Sequence, residues 1–129
     1  MTDIRPEQAE TVRFLESPET HGGAAVERVD THISHVFLAG GRALKLRRAV
    51  RTNFLDFSTP ERREAACRRE LEVNAGARGL YRRVLPVARD ESGLALGGEG
   101  EAVDWVTEMA RFDRETEFDR LAERGALDR

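Results

Sequence analysis

The stretch His35-Val-Phe-Leu-Ala-Gly-Gly-Arg-Ala-Leu-Lys-Leu-Arg47 decides the fold, because it predicts two antiparallel strands joined by a two-glycine turn. Side chains alternate between the two faces of a strand, so Leu44 and Leu46 are predicted to share one face. Lys45 and Arg47 then belong to the opposite face. Lys45 is therefore expected in the middle of a strand.

The sequence on both sides of this hairpin predicts an α+β domain. Pro6 at a first helical turn begins a short amphipathic helix that ends near Ser17, and residues 25–29 predict a strand. A long helix follows the hairpin, and a last helix begins near Asp113. Between these two helices, extended segments are predicted at residues 83–88, 94–96 and 102–110. We expect an antiparallel sheet of about five strands with one packed helix, plus short flanking N- and C-terminal helices.

The long helix is predicted to end near Ala75, before Gly76, and it has two candidate starts. Ser58 with Glu61 is a capping box, whereas Thr59 with Pro60 is an alternative pair of N-cap and first helical residue. Its inward stripe is predicted to comprise Arg63, Ala66, Cys67, Glu70, Leu71 and Asn74.

Glu70 on this inward stripe requires a partner, because an unpaired carboxylate is costly to bury. Lys45 is a cation on an inward strand face of the preceding hairpin, which predicts an ion pair between the two. The alternative is a rotated helix that leaves Glu70 facing water. Cys67, on the same stripe, is interpreted as a buried core thiol rather than a nucleophile.

Composition limits the class of protein. The chain has 129 residues, which suit one domain, and a net charge of −3 from 24 acidic and 21 basic side chains. Because the two signs are interspersed, no nucleic acid or membrane partner is expected. The single cysteine and the charged N-terminal segment fit a cytoplasmic protein. The three histidines do not share ligand spacing with other residues, so no metal site is predicted.

The basic residues are 20 arginines and one lysine, Lys45. A compact ammonium group at mid-strand suits phosphate oxygens, although a solvent-facing lysine left by chance is the alternative. A strand lysine followed by a helix glutamate is the order in which protein kinases hold ATP phosphates. The strand end at Thr107-Glu108-Met109-Ala110 then lies where a hinge would contact adenine.

No glycine-rich phosphate motif is present in the sequence. The segment from Thr31 to Ser34 is the candidate replacement, because its hydroxyls and amides can contact phosphate; an ordinary polar turn is the alternative. Asp56-Phe57-Ser58 precedes the long helix, so it is not interpreted as a kinase metal motif. It is predicted to lead into the helix, with Phe54, Leu55 and Phe57 as anchors.

The chain resembles the N-terminal lobe of aminoglycoside phosphotransferase-like kinases, in the bacterial group that pairs this domain with a P-loop ATPase domain. The resemblance extends from about Val26 over nearly the whole chain. The stretches that carry it are Asp30-Thr-His-Ile-Ser34, Phe37-Leu-Ala-Gly-Gly-Arg-Ala-Leu-Lys45, Asn53-Phe-Leu-Asp-Phe-Ser-Thr59, Cys67-Arg-Arg-Glu-Leu-Glu-Val-Asn74, Leu80-Tyr81 through Pro86-Val87, and Trp105 through Phe112.

This resemblance implies a kinase-type N-lobe at residues 25–112, a helical extension at 1–24 and the start of a connection to a second lobe at 113–129. It also implies ATP, with Mg²⁺, as the cofactor. The residues implied to bind it are Lys45 with its helix partner Glu70, the nucleotide-loop residues Thr31 and Ser34, and the hinge residues Thr107, Glu108 and Ala110.

The catalytic aspartate and the Mg²⁺ ligands of such kinases belong to the second lobe, so none is expected in this chain and catalysis by it alone is not expected. The expected function is the nucleotide-binding lobe of a small-molecule kinase that phosphorylates a hydroxyl acceptor. Its expected partners are the nucleotide and the missing C-lobe or P-loop ATPase domain. The alternative is a non-catalytic lobe that serves as an interaction or regulatory module. A homodimer through the exposed cleft face is a further candidate.

Overall fold

The computed structural model describes residues 4–75 and 80–110, in which a six-stranded antiparallel sheet carries one helix on each face. The helices are α1 (Ala9–Glu16) and α2 (Pro60–Val73). The strands are β1 (Val26–Asp30), β2 (Ser34–Ala39), β3 (Arg42–Arg47), β4 (Tyr81–Asp90), β5 (Gly93–Leu96) and β6 (Glu101–Ala110). Short 3₁₀ turns at Pro6–Gln8 and Pro18–His21 flank α1. The α+β class is confirmed, while the predicted C-terminal helix lies outside the described residues.

The strand order is β1-β2-β3-β6-β4-β5, so the last strand lies between β3 and β4. The sheet has six strands where about five were expected, and the short segment predicted at 94–96 is one of them, since Gly93–Leu96 pairs along its whole length with the end of β4. The turn before it is stabilised by the Ser92 amide, which donates to Asp90 Oδ1 at 2.8 Å. This hairpin adds the sixth strand at the edge of the sheet.

The predicted hairpin of β2 and β3 is confirmed. Gly40 has φ of +58°, a left-handed conformation that glycine adopts without steric cost. Leu44 and Leu46 are fully buried on one face of β3, as the alternation predicts. They belong to the main core cluster, whose fully buried members are Val12, Leu15, Phe37, Leu44, Leu46, Val87 and Val106.

Helix α1 supplies Val12 and Leu15 to this core. The predicted domain boundary between residues 24 and 25 stays a prediction. Helix α1, which precedes that position, shares a core with the sheet that follows it. Burial of apolar side chains stabilises by about 25 cal/mol per Å² of surface removed from water, so α1 contributes to the stability of the sheet.

Helix α2 covers the opposite face and begins at the second of the two predicted starts. Thr59 is the N-cap, and its hydroxyl accepts a hydrogen bond from the Arg62 amide at 3.1 Å. The Ser58 hydroxyl donates instead to Asp56 Oδ1 at 2.5 Å. The helix ends at Val73, two residues before the predicted end.

The predicted inward stripe of α2 is confirmed, with Arg63 and Cys67 buried. The remaining members, Ala66, Glu70, Leu71 and Asn74, are partly buried.

The expectation that Phe54 anchors the approach to α2 is wrong, because 92% of this side chain is exposed. The segment forms a small hairpin in which the Thr52 amide donates to the Leu55 carbonyl at 2.7 Å. Thr52 Oγ1 also accepts from the Phe54 and Leu55 amides. This turn holds Phe54 at its tip, while Phe57 at its base is buried.

Within residues 4–75 and 80–110, no helix is both long enough and apolar enough to cross a membrane.

Candidate functional site

The predicted ion pair between Lys45 and Glu70 is present. Lys45 Nζ lies 2.7 Å from Glu70 Oε2, on the face of the sheet that α2 covers. Lys45 reaches this face because it alternates with Leu44 and Leu46 along β3. Glu70 reaches it because it lies one helical turn after Cys67, which is fully buried against the sheet. The helix is therefore oriented as the inward stripe predicts.

Arg47 is a second cation on Glu70. Its Nη2 atom lies 2.6 Å from Glu70 Oε1, so each carboxylate oxygen has its own positive partner. The Arg47 Nη1 atom also donates to Cys67 Sγ at 3.4 Å and to Thr107 Oγ1 at 3.5 Å. Its guanidinium stacks 5.7 Å from the centre of the Phe57 ring. Arg47 is thus held on several sides.

The two cations differ in their access to solvent. One quarter of the Lys45 side chain is exposed, against 9% of the Arg47 side chain. The Lys45 side chain is therefore more accessible from solvent than that of Arg47. An ammonium has three donor hydrogens, so Lys45 can contact Glu70 and a second anion together.

Burial alone would raise the pKa of Glu70, but the hydrogen bonds and charges of Lys45 and Arg47 lower it below its ordinary value of 4.5. The Tyr81 hydroxyl also donates to Glu70 Oε2, at 3.3 Å. The pKa of Tyr81 is raised by burial and by the negative charge of Glu70. Glu70 is therefore ionised at neutral pH, between two cations. Burial likewise raises the pKa of Cys67, as expected for an inert core thiol.

Of the predicted hinge residues, Thr107 lies beside Lys45. The two are cross-strand partners in the pairing of β3 with β6, and Thr107 is fully buried. Its hydroxyl accepts from Arg47, which ties it to the same cluster.

Glu108 and Ala110 lie away from the Lys45 cluster. Glu108 pairs with Leu44, so its side chain points to the opposite face, where Arg83 Nε donates to Glu108 Oε1 at 2.6 Å. Burial alone would raise the pKa of Glu108, but the hydrogen bond and charge of Arg83 lower it below 4.5. The Ala110 amide donates to the Leu80 carbonyl at 2.8 Å. A nucleotide contact to this amide requires that bond to open, and the hinge assignment stays a prediction.

Thr31 and Ser34 form the turn between β1 and β2. The Thr31 hydroxyl accepts from the Ser34 amide at 3.0 Å and from the Ile33 amide at 3.3 Å. The Thr31 amide in turn donates to the Ser34 carbonyl. Ser34 pairs with Arg47, so the turn lies at the end of β3 that follows Lys45. These bonds explain the turn as a polar structural element, and its contact with phosphate stays a prediction.

A second buried polar centre, which sequence reasoning missed, surrounds Asp104. Its carboxylate accepts from Arg63 Nε at 2.7 Å and from Gln8 Nε2 at 2.9 Å. The Gln8 amide group also accepts from the Ala49 amide and donates to the Arg47 carbonyl. All three side chains are almost completely buried. Gln8, Arg63 and Asp104 therefore join the 3₁₀ turn before α1 to α2 and β6, where β3 leaves the sheet.

The role of Arg47 was also missed, although its face was predicted. Its place two residues after Lys45 on the same strand face was the available signal, because both side chains then point toward α2. Tyr81 gave no such signal, since its position depends on how β4 pairs with β6. In residues 4–75 and 80–110, no group of three or more His, Cys, Asp or Glu side chains is arranged to hold a metal ion.

Part of the chain is similar to uncharacterized proteins of Mycobacterium bovis and of two strains of Mycobacterium tuberculosis. Each is 52% identical over 46 residues, which are 36% of this chain and 9% of the relative. The chain therefore matches about a tenth of the length of these curated relatives. No protein-family model matches the chain, and no solved structure matches it.

Proposed function

We propose that the chain is the nucleotide-binding N-terminal lobe of a small-molecule kinase that transfers the γ-phosphate of ATP to a hydroxyl acceptor. The observation that carries the proposal is the 2.7 Å contact between Lys45 Nζ and Glu70 Oε2. It joins a mid-strand lysine to a glutamate on the next helix, the arrangement with which protein kinases hold ATP phosphates.

The resemblance to aminoglycoside phosphotransferase-like kinases adds the rest of the proposal. ATP would bind with Mg²⁺, whose ligands a C-lobe would supply, and a C-lobe or P-loop ATPase domain would complete the enzyme. Thr107 supports a nucleotide site, because it is the cross-strand neighbour of Lys45. A cytoplasmic location, where ATP is available, belongs to the same proposal.

The single lysine provides a direct test. Growth with nitrogen-15-labelled lysine gives one side-chain ammonium signal, because Lys45 is the only lysine. We expect MgATP to shift this signal in a saturable manner, and adenosine, which lacks phosphates, to leave it unchanged. A Lys45 signal that does not shift when MgATP is added at millimolar concentrations would contradict the proposal.

Replacement of Lys45 with arginine tests whether the ammonium itself is required. Arginine keeps the charge but presents a planar fork on a longer stem. We expect Lys45→Arg to weaken MgATP binding about tenfold, which corresponds to about 1.4 kcal/mol. Equilibrium dialysis measures the affinity, and Arg69→Lys, on the exposed face of α2, serves as the control that makes the reverse change away from the site. If Lys45→Arg and the parent bound MgATP with equal affinity, the ammonium group would not be required at this position.

A second candidate function, an interaction module without catalysis, is favoured by the exposed Phe54. An aromatic ring that is 92% exposed at the tip of a hydrogen-bonded turn is suited to insert into an apolar pocket of a partner protein. This candidate predicts self-association or partner binding without nucleotide. Sedimentation velocity at two concentrations, with Phe54→Ser as the variant, measures the self-association.

A further inference from the structure

The ion pair of Lys45 and Glu70 is part of a charge triad with an excess of positive charge. Glu70 contributes one negative charge, and Lys45 and Arg47 contribute two positive charges, at 2.7 Å and 2.6 Å from its two oxygens. The sum is +1. An isolated pair of one lysine and one glutamate would be neutral.

Arg47 is placed to supply charge rather than to touch a ligand. Its side chain is 91% buried, donates to Glu70, Cys67 and Thr107, and stacks on Phe57. Lys45 has Glu70 as the hydrogen-bond partner that the structure gives it, and one quarter of its side chain is exposed. The contact with an anion therefore belongs to Lys45, while the balancing of Glu70 belongs to Arg47.

We infer that Arg47 is a positioning and charge-balancing residue that gives the Lys45–Glu70 pair its affinity for a polyphosphate. The inference rests on the proposed function, since it concerns the same site. With Arg47 in place, Glu70 orients the Lys45 ammonium and the site still has a net positive charge. Without Arg47, the ammonium and the carboxylate cancel, and an approaching phosphate gains little from the pair.

The experiment uses the full chain with nitrogen-15-labelled lysine and inorganic pyrophosphate as the probe. We expect pyrophosphate to shift the Lys45 signal in the parent. In Arg47→Met, the midpoint, which is the pyrophosphate concentration that gives half of the full shift, should be about tenfold higher. Arg69→Met is the matched control, because it also removes one positive charge but does so on the exposed face of α2. Its midpoint should stay within about twofold of the parent.

A double variant separates charge balance from a merely structural role. In Arg47→Met with Glu70→Gln, both the arginine and the carboxylate are gone, and Lys45 again gives the site a charge of +1. We expect the pyrophosphate midpoint to recover most of the loss seen in Arg47→Met alone. Damage to packing at Arg47 would not be repaired by a change at Glu70. Near-ultraviolet circular dichroism checks that each variant is folded.

Glu70→Gln alone keeps the inference testable if Arg47→Met does not fold. It raises the charge of the site to +2, so pyrophosphate should bind several-fold more tightly than to the parent. An unchanged or weaker affinity would overturn the inference.

The outcomes separate this inference from the proposed function. If MgATP and pyrophosphate both shift Lys45 but Arg47→Met binds pyrophosphate as the parent does, the charge-balancing role is wrong and the nucleotide site stands. If pyrophosphate behaves as expected but MgATP gives no shift, the triad is an anion site and the kinase proposal fails. If neither anion moves the Lys45 signal, both are overturned.

Discussion

At the scale of single residues, Glu70 connects the candidate site to the stability of the fold. Its side chain is only 13% exposed, and its carboxylate binds Lys45, Arg47 and Tyr81. Burial alone would raise the pKa of Glu70, but Lys45 and Arg47 lower it below 4.5 in the folded chain, so the ionised form stabilises the folded state. That contribution is fully present above about pH 4.5 and is lost as the pH falls through the lower pKa of the folded chain.

Glu70→Gln should therefore lower the free energy of unfolding by roughly 1–3 kcal/mol at pH 7, because two cations lose their shared anion. The difference between parent and variant should shrink as the pH falls below about 4.5. Urea unfolding at pH 7, 5 and 3.5 measures it. A difference that stayed constant over this range would show that the charge of Glu70 does not stabilise the fold.

Asp104 is the residue whose loss should cost most. Asp104→Asn leaves Arg63, which is 3% exposed, without its anion, and we expect a loss of about 3–5 kcal/mol. The control is Glu64→Gln, which removes the partner of Arg68, a side chain that is 58% exposed. That change should cost below about 0.5 kcal/mol. Similar losses for the two variants would contradict the role assigned to Asp104.

These residues also show what could be predicted from sequence. The pair of Lys45 and Glu70 was predictable, because strand alternation, helix periodicity and the cost of a buried carboxylate all point to it. The centre around Asp104 was not, because it depends on β3 ending at Arg47 and leaving the side of β6 open to Gln8. Periodicity shows which face a side chain occupies, but not how far a neighbouring strand extends.

At the scale of elements, the sequence predicts two alternative N-caps for α2, because Ser58 and Thr59 both suit that position and each has a partner in the sequence. In the structure Thr59 is the N-cap, because the Ser58 hydroxyl donates a hydrogen bond to Asp56 and the Thr59 hydroxyl accepts from the Arg62 amide. Element types were thus easier to predict than boundaries, which depend on a few competing hydrogen bonds.

Thr59→Ala should destabilise the chain by about 1 kcal/mol, because the Arg62 amide loses its acceptor. Ser58→Ala should cost less than half as much, since its hydroxyl bonds outside the helix. Urea unfolding of the two single variants compares them directly. A larger effect for Ser58→Ala would show that Ser58, and not Thr59, is the N-cap.

At the scale of the whole molecule, α1 and the sheet are expected to unfold together. Leu15 is fully buried in the shared core, so Leu15→Ala should cost about 2–4 kcal/mol. The fluorescence of Trp105, the single tryptophan, reports on β6 and should follow the same transition as the helix signal in circular dichroism. Val73→Ala, at a side chain that is 71% exposed, is the control with little expected effect. Separate transitions would show that α1 is an independent extension.

The centre around Asp104 also bears on the order of folding. Asp104 must meet Gln8 across 96 positions of chain and Arg63 across 41. Closing such long loops is slow and is rewarded only when the sheet between them has formed. We therefore expect this centre to assemble late, so that Asp104→Asn accelerates unfolding far more than it slows folding. Gln8, Arg63 and Asp104 would then determine the unfolding rate, and with it the lifetime of the folded chain.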